Sequence, residues 1–503
     1  MSGNSSYRQI LRSSAVMGGA QAINYMVGLL RIKVVAVLLG PAGVGVIGLY
    51  TSASNLVGAV TGLGLQRSAV RAIASADGDP VAVARATRML RRLCWATGVL
   101  GWVASVALAI PLSRMMFQSS THAWALAILG GTLLLGAING GQLALLRGLR
   151  RIDDIARVQI VGAFLNTIVT IALYAWLRER GIVPVMLATA TVSLATSWWF
   201  VRKVEFPAMS MTWTEAVAEA KPMVSLGIAL MISTVLSMVL EFYTRSLVSR
   251  TYGVDAVGIY QAAWSLSGMF AGFVLTAMGT DFYPRLTAVI DDRVAAIREI
   301  NEQTEIGVLL ALPGLLVTLA LAKWIVWALY SSAFAPATNV LVWMSLGVFG
   351  RVVSWPLGYV QLALNTGKWY AATEFLFIAL QAALVTWMVP RFGVVGAAYA
   401  FFGCYVSYFI GMSLLTRRLI GFRHSPAALR LIVIATLLMV VTMAVSRLLP
   451  DLPAAILGSA CAFVGGLWCL RGLSHRLGND HRLIRAILRI PGIERVLAKR
   501  EPQ

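Results

Sequence analysis

Apolar runs of about twenty residues recur along the whole of this 503-residue chain. Each can cross a hydrocarbon core of about 30 Å. Backbone polar groups find no water there, so a crossing run must be an α-helix or part of a closed barrel. A barrel would show alternating strands of about ten residues, and these runs do not alternate. Only 13% of the residues are charged and 58% are hydrophobic. A soluble domain carries about 25% charge, and half that value cannot coat a water-facing surface. The expected fold is an all-α polytopic membrane protein of about 14 transmembrane helices.

Expected spans are 11–39, 41–64, 93–112, 121–146, 157–177, 181–201, 222–248, 256–284, 304–330, 337–365, 370–389, 393–416, 428–448 and 453–470. Basic residues crowd one side of them. Arg67, Arg71, Arg85, Arg88, Arg91, Arg92, Arg147, Arg150, Arg151, Arg202, Lys203, Arg285 and the tail from Arg471 share the side of the N-terminus. The other side holds only Arg114, Arg178, Arg180, Arg250, Arg391 and Arg447. The positive-inside rule then puts both termini in the cytoplasm, and a bacterial inner membrane is the expected location. The net charge of +21 is mainly this asymmetry, and no nucleic-acid motif accompanies it.

The first apolar run passes Ala36 without a small-residue cleavage pattern, so it is expected to remain as a span. In the tail, Leu483, Ile484, Ile487 and Leu488 share a helical face among Arg482, Arg485 and Arg489, the pattern of a helix lying on an anionic leaflet. Cys94, Cys404, Cys461 and Cys469 are scattered through apolar runs without a CxxC pair and read as small buried hydrophobes. Neither a metal site nor a cofactor is expected. Loops on the sparsely charged side are too short for a catalytic domain, so the chain does not read as an enzyme. Asp153-Asp154 and Asp291-Asp292 read as solvated turn residues.

The chain repeats itself. Gly43, Gly48, Tyr50, Leu56 and Gly58 recur 210 residues later as Gly253, Gly258, Tyr260, Leu266 and Gly268. Gln142-Leu-Ala-Leu recurs at Gln361, and Gly181-Ile-Val is echoed as Gly393-Val-Val. The reading is two six-helix bundles, 1–203 and 204–421, related by a parallel pseudo-two-fold repeat. Two additional helices (422–471) and a basic cytoplasmic tail (472–503) follow. Parallel repeats of this kind are a transporter design. Gly43-Val-Gly45-Val-Ile-Gly48 also matches GxGxxG, but it joins two membrane helices instead of following a strand. It therefore reads as glycine for a tight turn and close packing, not as a dinucleotide loop.

Ionisable groups inside the hydrocarbon cost at least about 2.5 kcal/mol and so mark function. Arg31 lies nine residues before Gly40, about 13 Å down the helix. Gln21, Asn24 and Gly28 share its face, and Lys33 points away and can snorkel outward. A mid-depth arginine suits phosphate, because its fork makes paired charge-assisted bonds. At the repeat offset Arg31 corresponds to Glu241, and Arg245 follows Glu241 at i+4, which permits an ion pair. Lys323, Arg351 and Glu374 lie deep in the second half, with Asp281 and Arg285 near a cytoplasmic end.

The stretch from Gly28-Leu-Leu-Arg31 through Gly40-Pro41-Ala-Gly43-Val-Gly45 to Gly48-Leu-Tyr50 resembles the start of polysaccharide flippases of the multidrug/oligosaccharidyl-lipid/polysaccharide exporter superfamily. The detailed match covers about the first 75 residues, and the likeness is greatest to O-antigen and lipid III translocases. The resemblance implies two bundles around a cavity that pass an undecaprenyl-pyrophosphate-linked oligosaccharide from the cytoplasmic to the periplasmic leaflet. Its partners would be that glycan, membrane lipid, and possible glycan polymerase and chain-length machinery. Related lipid II flippases carry a first-span arginine after Gly-x-x, the place of Arg31. They carry further arginines in the second span, where residues 55–64 have none, which speaks against lipid II as substrate. On this reading Arg31 holds pyrophosphate while Gln21, Asn24 and Asn55 meet sugar hydroxyls. Glu241, Arg245, Glu374 and Arg351 are the gate or coupling groups. The alternatives are a cation-coupled multidrug or small-molecule exporter of the same superfamily, or a lipid II flippase.

Overall fold

The computed structural model describes residues 3–76, 78–204, 207 and 211–477, and every element among them is helical. Residues 478–503, which carry the expected amphipathic face, lie outside the described residues. The chain forms two compact units, Met1–Gln261 with Ala328–Ala333, and Ala262–Trp327 with Phe334–Gln503.

The first unit begins with α1 (Gly3–Thr61), a 59-residue helix broken at Gly40. There φ is 64° and ψ −171°, a conformation essentially closed to residues with a side chain. Pro41 then opens the second arm, where its missing N–H leaves no bond unmade. α2 (Leu65–Ser75), α3 (Pro80–Phe117), α4 (Ala123–Gly148), α5 (Ile152–Leu177) and α6 (Ile182–Val201) follow, with a 3₁₀ turn at Arg178–Gly181. α7 (Trp213–Tyr252) completes the unit with the first turns of α8 (Val254–Val289). Local chemistry sets the helix starts. Asp79 accepts bonds from the Val81 and Ala82 amides (2.9 and 3.2 Å) just ahead of Pro80. Thr212 and Glu215 form a reciprocal capping box on α7.

Glycines decide how these helices approach. A Cβ on Gly45 would overlap the carbonyl oxygen of Val254, and one on Gly258 would overlap that of Pro41. The GxGxxG stretch is thus half of a backbone-to-backbone crossing with α8. Gly64 and Gly227 make a second such crossing between the start of α2 and α7.

α3 and α7 run parallel and are tied at both ends. Near their starts Arg85 forks onto Glu219. Near their ends Ser249 Oγ donates to the Met116 carbonyl (2.6 Å) and Gln118 Nε2 to that of Arg250 (2.9 Å). Leu65, Ile73, Leu90, Leu145, Ile155, Phe200 and Met223 form a core joining α2 to α7. One expectation is corrected here. Asp154 is not a solvated turn residue. It is buried in the first turn of α5, 2.7 Å from Arg151 and 3.5 Å from Arg157, because arginines three residues to either side fold back over it.

The second unit holds the rest of α8, then α9 (Arg293–Leu329), α10 (Ala337–Ala363), α11 (Gly367–Phe392), α12 (Val394–Ile420), α13 (Pro426–Leu448) and α14 (Asp451–Leu477). Phe282, Leu286, Ile300, Leu357, Val360, Met412 and Phe422 build its core. Asp292 caps α9 through the amides of Val294 and Ala295. Ser425 caps α13 at the Ala428 amide (3.0 Å) and donates to Glu305 (3.2 Å), which also binds Arg476 (2.7 Å). One serine thereby joins α9, α13 and α14.

Eleven stretches of the described residues are long and apolar enough to cross a membrane. This is a multi-pass membrane protein. Cys94, Cys404 and Cys469 are buried, Cys461 is half-buried, and all four are free thiols.

Candidate functional site

The first arm of α1 carries Gln21, Asn24, Gly28 and Arg31 at helical spacing, so all four lie on one face. All four are half-buried. Among the described residues, Gln21, Asn24 and Arg31 make no side-chain hydrogen bond or ion pair. Tyr174 lies near Arg31 on α5, which packs beside α1. A guanidinium held this way faces water or an anion, since inside bare hydrocarbon it would be too costly. The ammonium of Lys33 donates to the carbonyl of Tyr330, just past the end of α9.

α5 adds polar groups that sequence reasoning missed. Asn166 Nδ2 donates to Ser193 Oγ of α6 at 3.1 Å. Among the described residues, the side-chain carbonyl oxygens of Asn166 and Gln159, seven residues apart on α5, are buried without a partner, as is that of Asn139 on α4. A run of amides through apolar helices was visible in the sequence, but it carried no charge to single it out. Asn55 is exposed on the other arm of α1.

Glu241 and Arg245 form the pair their spacing permits, Nη1 to Oε2 at 3.0 Å. Arg245 is only 5% exposed. Its Nε donates to Gln261 Oε1 at 2.9 Å, and its guanidinium sits 6.0 Å from the Tyr260 ring. Gly48 gives Gln261 this position, since a Cβ there would come within 3.1 Å of the Gln261 oxygen. The echoed tyrosines thus both have polar company, Tyr260 beside Arg245 and Tyr50 bonded to His122 Nδ1 at 2.7 Å.

In the second unit, the guanidinium of Arg351 on α10 lies 5.9 Å from the ring of Tyr405 on α12. Tyr408 stands 6.1 Å from that ring, with Glu374 of α11 in the same neighbourhood. An acid, a base and two tyrosines from three helices form one cluster. Lys323 pairs with Asp451, and Arg285 lies 3.2 Å from Glu299. The side chain of Asp281 lies outside the described residues. Among the described residues no group of three or more His, Cys, Asp or Glu could hold a metal ion.

A family model described as polysaccharide biosynthesis protein matches residues 34–339. The lipid III flippase of Escherichia coli (strain K12) is 24% identical over 405 residues, 78% of this chain and 95% of that protein. In fold, the chain is similar to the lipid II flippase MurJ in an inward closed conformation. That likeness has a TM-score of 0.71 at 12% identity and covers 92% of this chain and all of the other. It is also similar to an inward-facing multidrug resistance MATE family transporter of the MOP superfamily. There the TM-score is 0.61 at 15% identity, over 79% of this chain and 94% of the other.

Proposed function

The chain belongs to the polysaccharide biosynthesis protein family, and on that premise we propose that it is a flippase for a lipid-linked glycan. Its cargo is an undecaprenyl-pyrophosphate-linked oligosaccharide repeat unit, carried from the cytoplasmic to the periplasmic leaflet of a bacterial inner membrane. The relatives named above are flippases and transporters, which supports transport over catalysis. One observation carries the reading: Arg31 stands on a polar stripe of α1 without a hydrogen bond or ion pair among the described residues. A pyrophosphate can fill that vacancy with paired charge-assisted bonds. Gln21 and Asn24, with the α5 amides, offer donors and acceptors to sugar hydroxyls, and Asn55 meets the cargo on the second arm. Carrying the headgroup through a polar path spares it the hydrocarbon.

Two of the eleven apolar stretches, Val16–Thr61 and Ile152–Val201, are interrupted at Gly40 and at Arg178–Gly181. Each is long enough for two crossings. Counting both as hairpins and adding α8 gives fourteen spans, with both termini cytoplasmic. The first twelve are two six-span halves in parallel repeat. Within this scheme Glu241–Arg245 and the Arg351–Tyr405–Glu374 cluster are gate or coupling groups. The glycan delivered outside would pass to a polymerase and its chain-length partners.

The test is translocation of a fluorescent polyprenyl-pyrophosphate oligosaccharide in proteoliposomes, comparing wild type with Arg31→Ala. Loss of transport at normal protein level supports the proposal. Full transport by the variant refutes the anion site. Efflux of cationic drugs without glycan movement would favour the exporter alternative, to which the MATE-like fold lends support.

A further inference from the structure

At the basic end of the first unit, α3, α4 and α6 enclose a cleft remote in sequence from the Arg31 stripe. Its deeper part is a cavity of about 550 Å³ walled by Leu90, Cys94, Leu134, Ile138, Ala195 and Trp198. A second cavity of about 340 Å³ adjoins it, sharing Thr87, Arg91 and Val201, and is lined by Arg88, Arg91 and Arg202. No acidic side chain among the described residues lines either one.

The arginines of this end are not alike. Arg85 is taken by Glu219, and Arg92 stacks 5.2 Å from the Trp213 ring. Arg88 and Arg91 are exposed and make no hydrogen bond or ion pair among the described residues. Arg202 lies 3.5 Å over Trp199 and 5.4 Å from Trp198, which fixes its guanidinium at the depth where tryptophans mark the membrane interface. Between the two cavities sits Thr87. It is 3% exposed, and its hydroxyl has no hydrogen-bond partner among the described residues.

Three like charges converge on a polar mouth, and an unmet hydroxyl sits at the joint with an apolar slot below. Water satisfies the mouth alone, and an acyl chain satisfies the slot alone. One amphiphile with an anionic head satisfies both, because guanidinium forks take phosphate oxygens bidentately and basic pockets between membrane helices collect acidic headgroups. We propose that this cleft binds an anionic diacyl phospholipid from the leaflet on the chain's basic side. Its phosphate lies among Arg88, Arg91 and Arg202, the Thr87 hydroxyl bonds to the head, and one chain enters the slot beside Trp198. The lipid is proposed as a resident ligand and not as cargo.

Purified, delipidated protein titrated with phosphatidylglycerol in mixed micelles tests this. A phosphatidylglycerol brominated on its chains should quench tryptophan fluorescence at a saturating stoichiometry near one and raise the melting temperature. Arg88→Gln with Arg91→Gln should weaken that binding by about twentyfold. Ala195→Phe, which fills the slot and leaves the charges in place, should abolish the chain quenching. Equal quenching by brominated phosphatidylcholine would overturn the proposal, as would the same melting shift from inorganic phosphate alone. Displacement of the phospholipid by stoichiometric polyprenyl phosphate would assign the cleft to cargo and overturn it too. The quenching on wild-type protein needs no variant to fold.

Discussion

Gly258 of α8 lies directly against the backbone carbonyl of Pro41, the residue that opens the second arm of α1. The contact is reciprocal, since Gly45 meets the Val254 carbonyl four residues earlier on α8. In lipid, close packing of this kind substitutes for the hydrophobic drive that holds soluble helices together.

Replacing Gly258 with valine should therefore force the two helices apart, at about 1–3 kcal/mol or more. Gly268, its companion in the same echo, has open space around its Cα. Gly268→Val is the control. Thermal unfolding of the two purified variants should separate them clearly, with only the first losing several degrees.

Among the described residues Arg31 makes no hydrogen bond or ion pair, so its removal should cost function and not stability. Bonds to a charged group are worth about 1.5–3 kcal/mol. Arg31→Ala should accordingly weaken pyrophosphate-lipid binding by about tenfold to a hundredfold. Arg31→Lys, which keeps charge but loses the fork, should fall between. Direct binding measured alongside melting temperature checks both halves of this statement.

For Glu241 and Arg245 the opposite balance holds. Glu241→Gln leaves a buried guanidinium without its counter-charge, a loss of about 3–5 kcal/mol. The double variant Glu241→Leu, Arg245→Met removes both charges and should recover most of the stability. If that double variant still transports, the pair is architectural; if it folds and is inert, the pair works in gating. Expression level and transport measured on the same samples distinguish the outcomes.

His424 lies in the loop before α13, bonded to Ser413 at 3.1 Å, with its Nδ1 buried and without a partner among the described residues. Burial holds its pKa below the usual 6.5. The unfolded chain therefore binds the proton first, and stability is lost as pH falls from about 6.5 through the lower folded value. Arg298, Arg423 and Arg476 line the same pocket, opposed by Glu302 and Glu305, and a new charge there meets an excess of cations. Melting temperature against pH should drop below neutrality in wild type and flatten across this window in His424→Gln.

The membrane fold was legible because apolar runs leave the backbone a single kind of solution. The turn at Gly40, the packing role of the GxGxxG glycines and the Glu241–Arg245 pair were legible because each depends on residues close in sequence. Partners on other helices were not. Gln261 lies sixteen residues from Arg245 on a different helix, and nothing in its neighbourhood distinguishes it from a surface amide. Tyr174 is 143 residues from Arg31, and only the α1–α5 packing joins them. Asp154 was misread although the signal was present. Arg-x-x-Asp-x-x-Arg closes on itself once the segment is a helix, whereas reading it as a loop hides that geometry.

The double tie between α3 and α7 has a mechanical consequence. Glu219 and Ser249 are spaced along α7 almost as Arg85 and Met116 are along α3, so neither helix can slide past the other without breaking bonds at both ends at once. Tilting needs only one end to yield. The intact end then serves as the fulcrum of a lever, and which end lets go selects the side of the bilayer toward which these two helices splay.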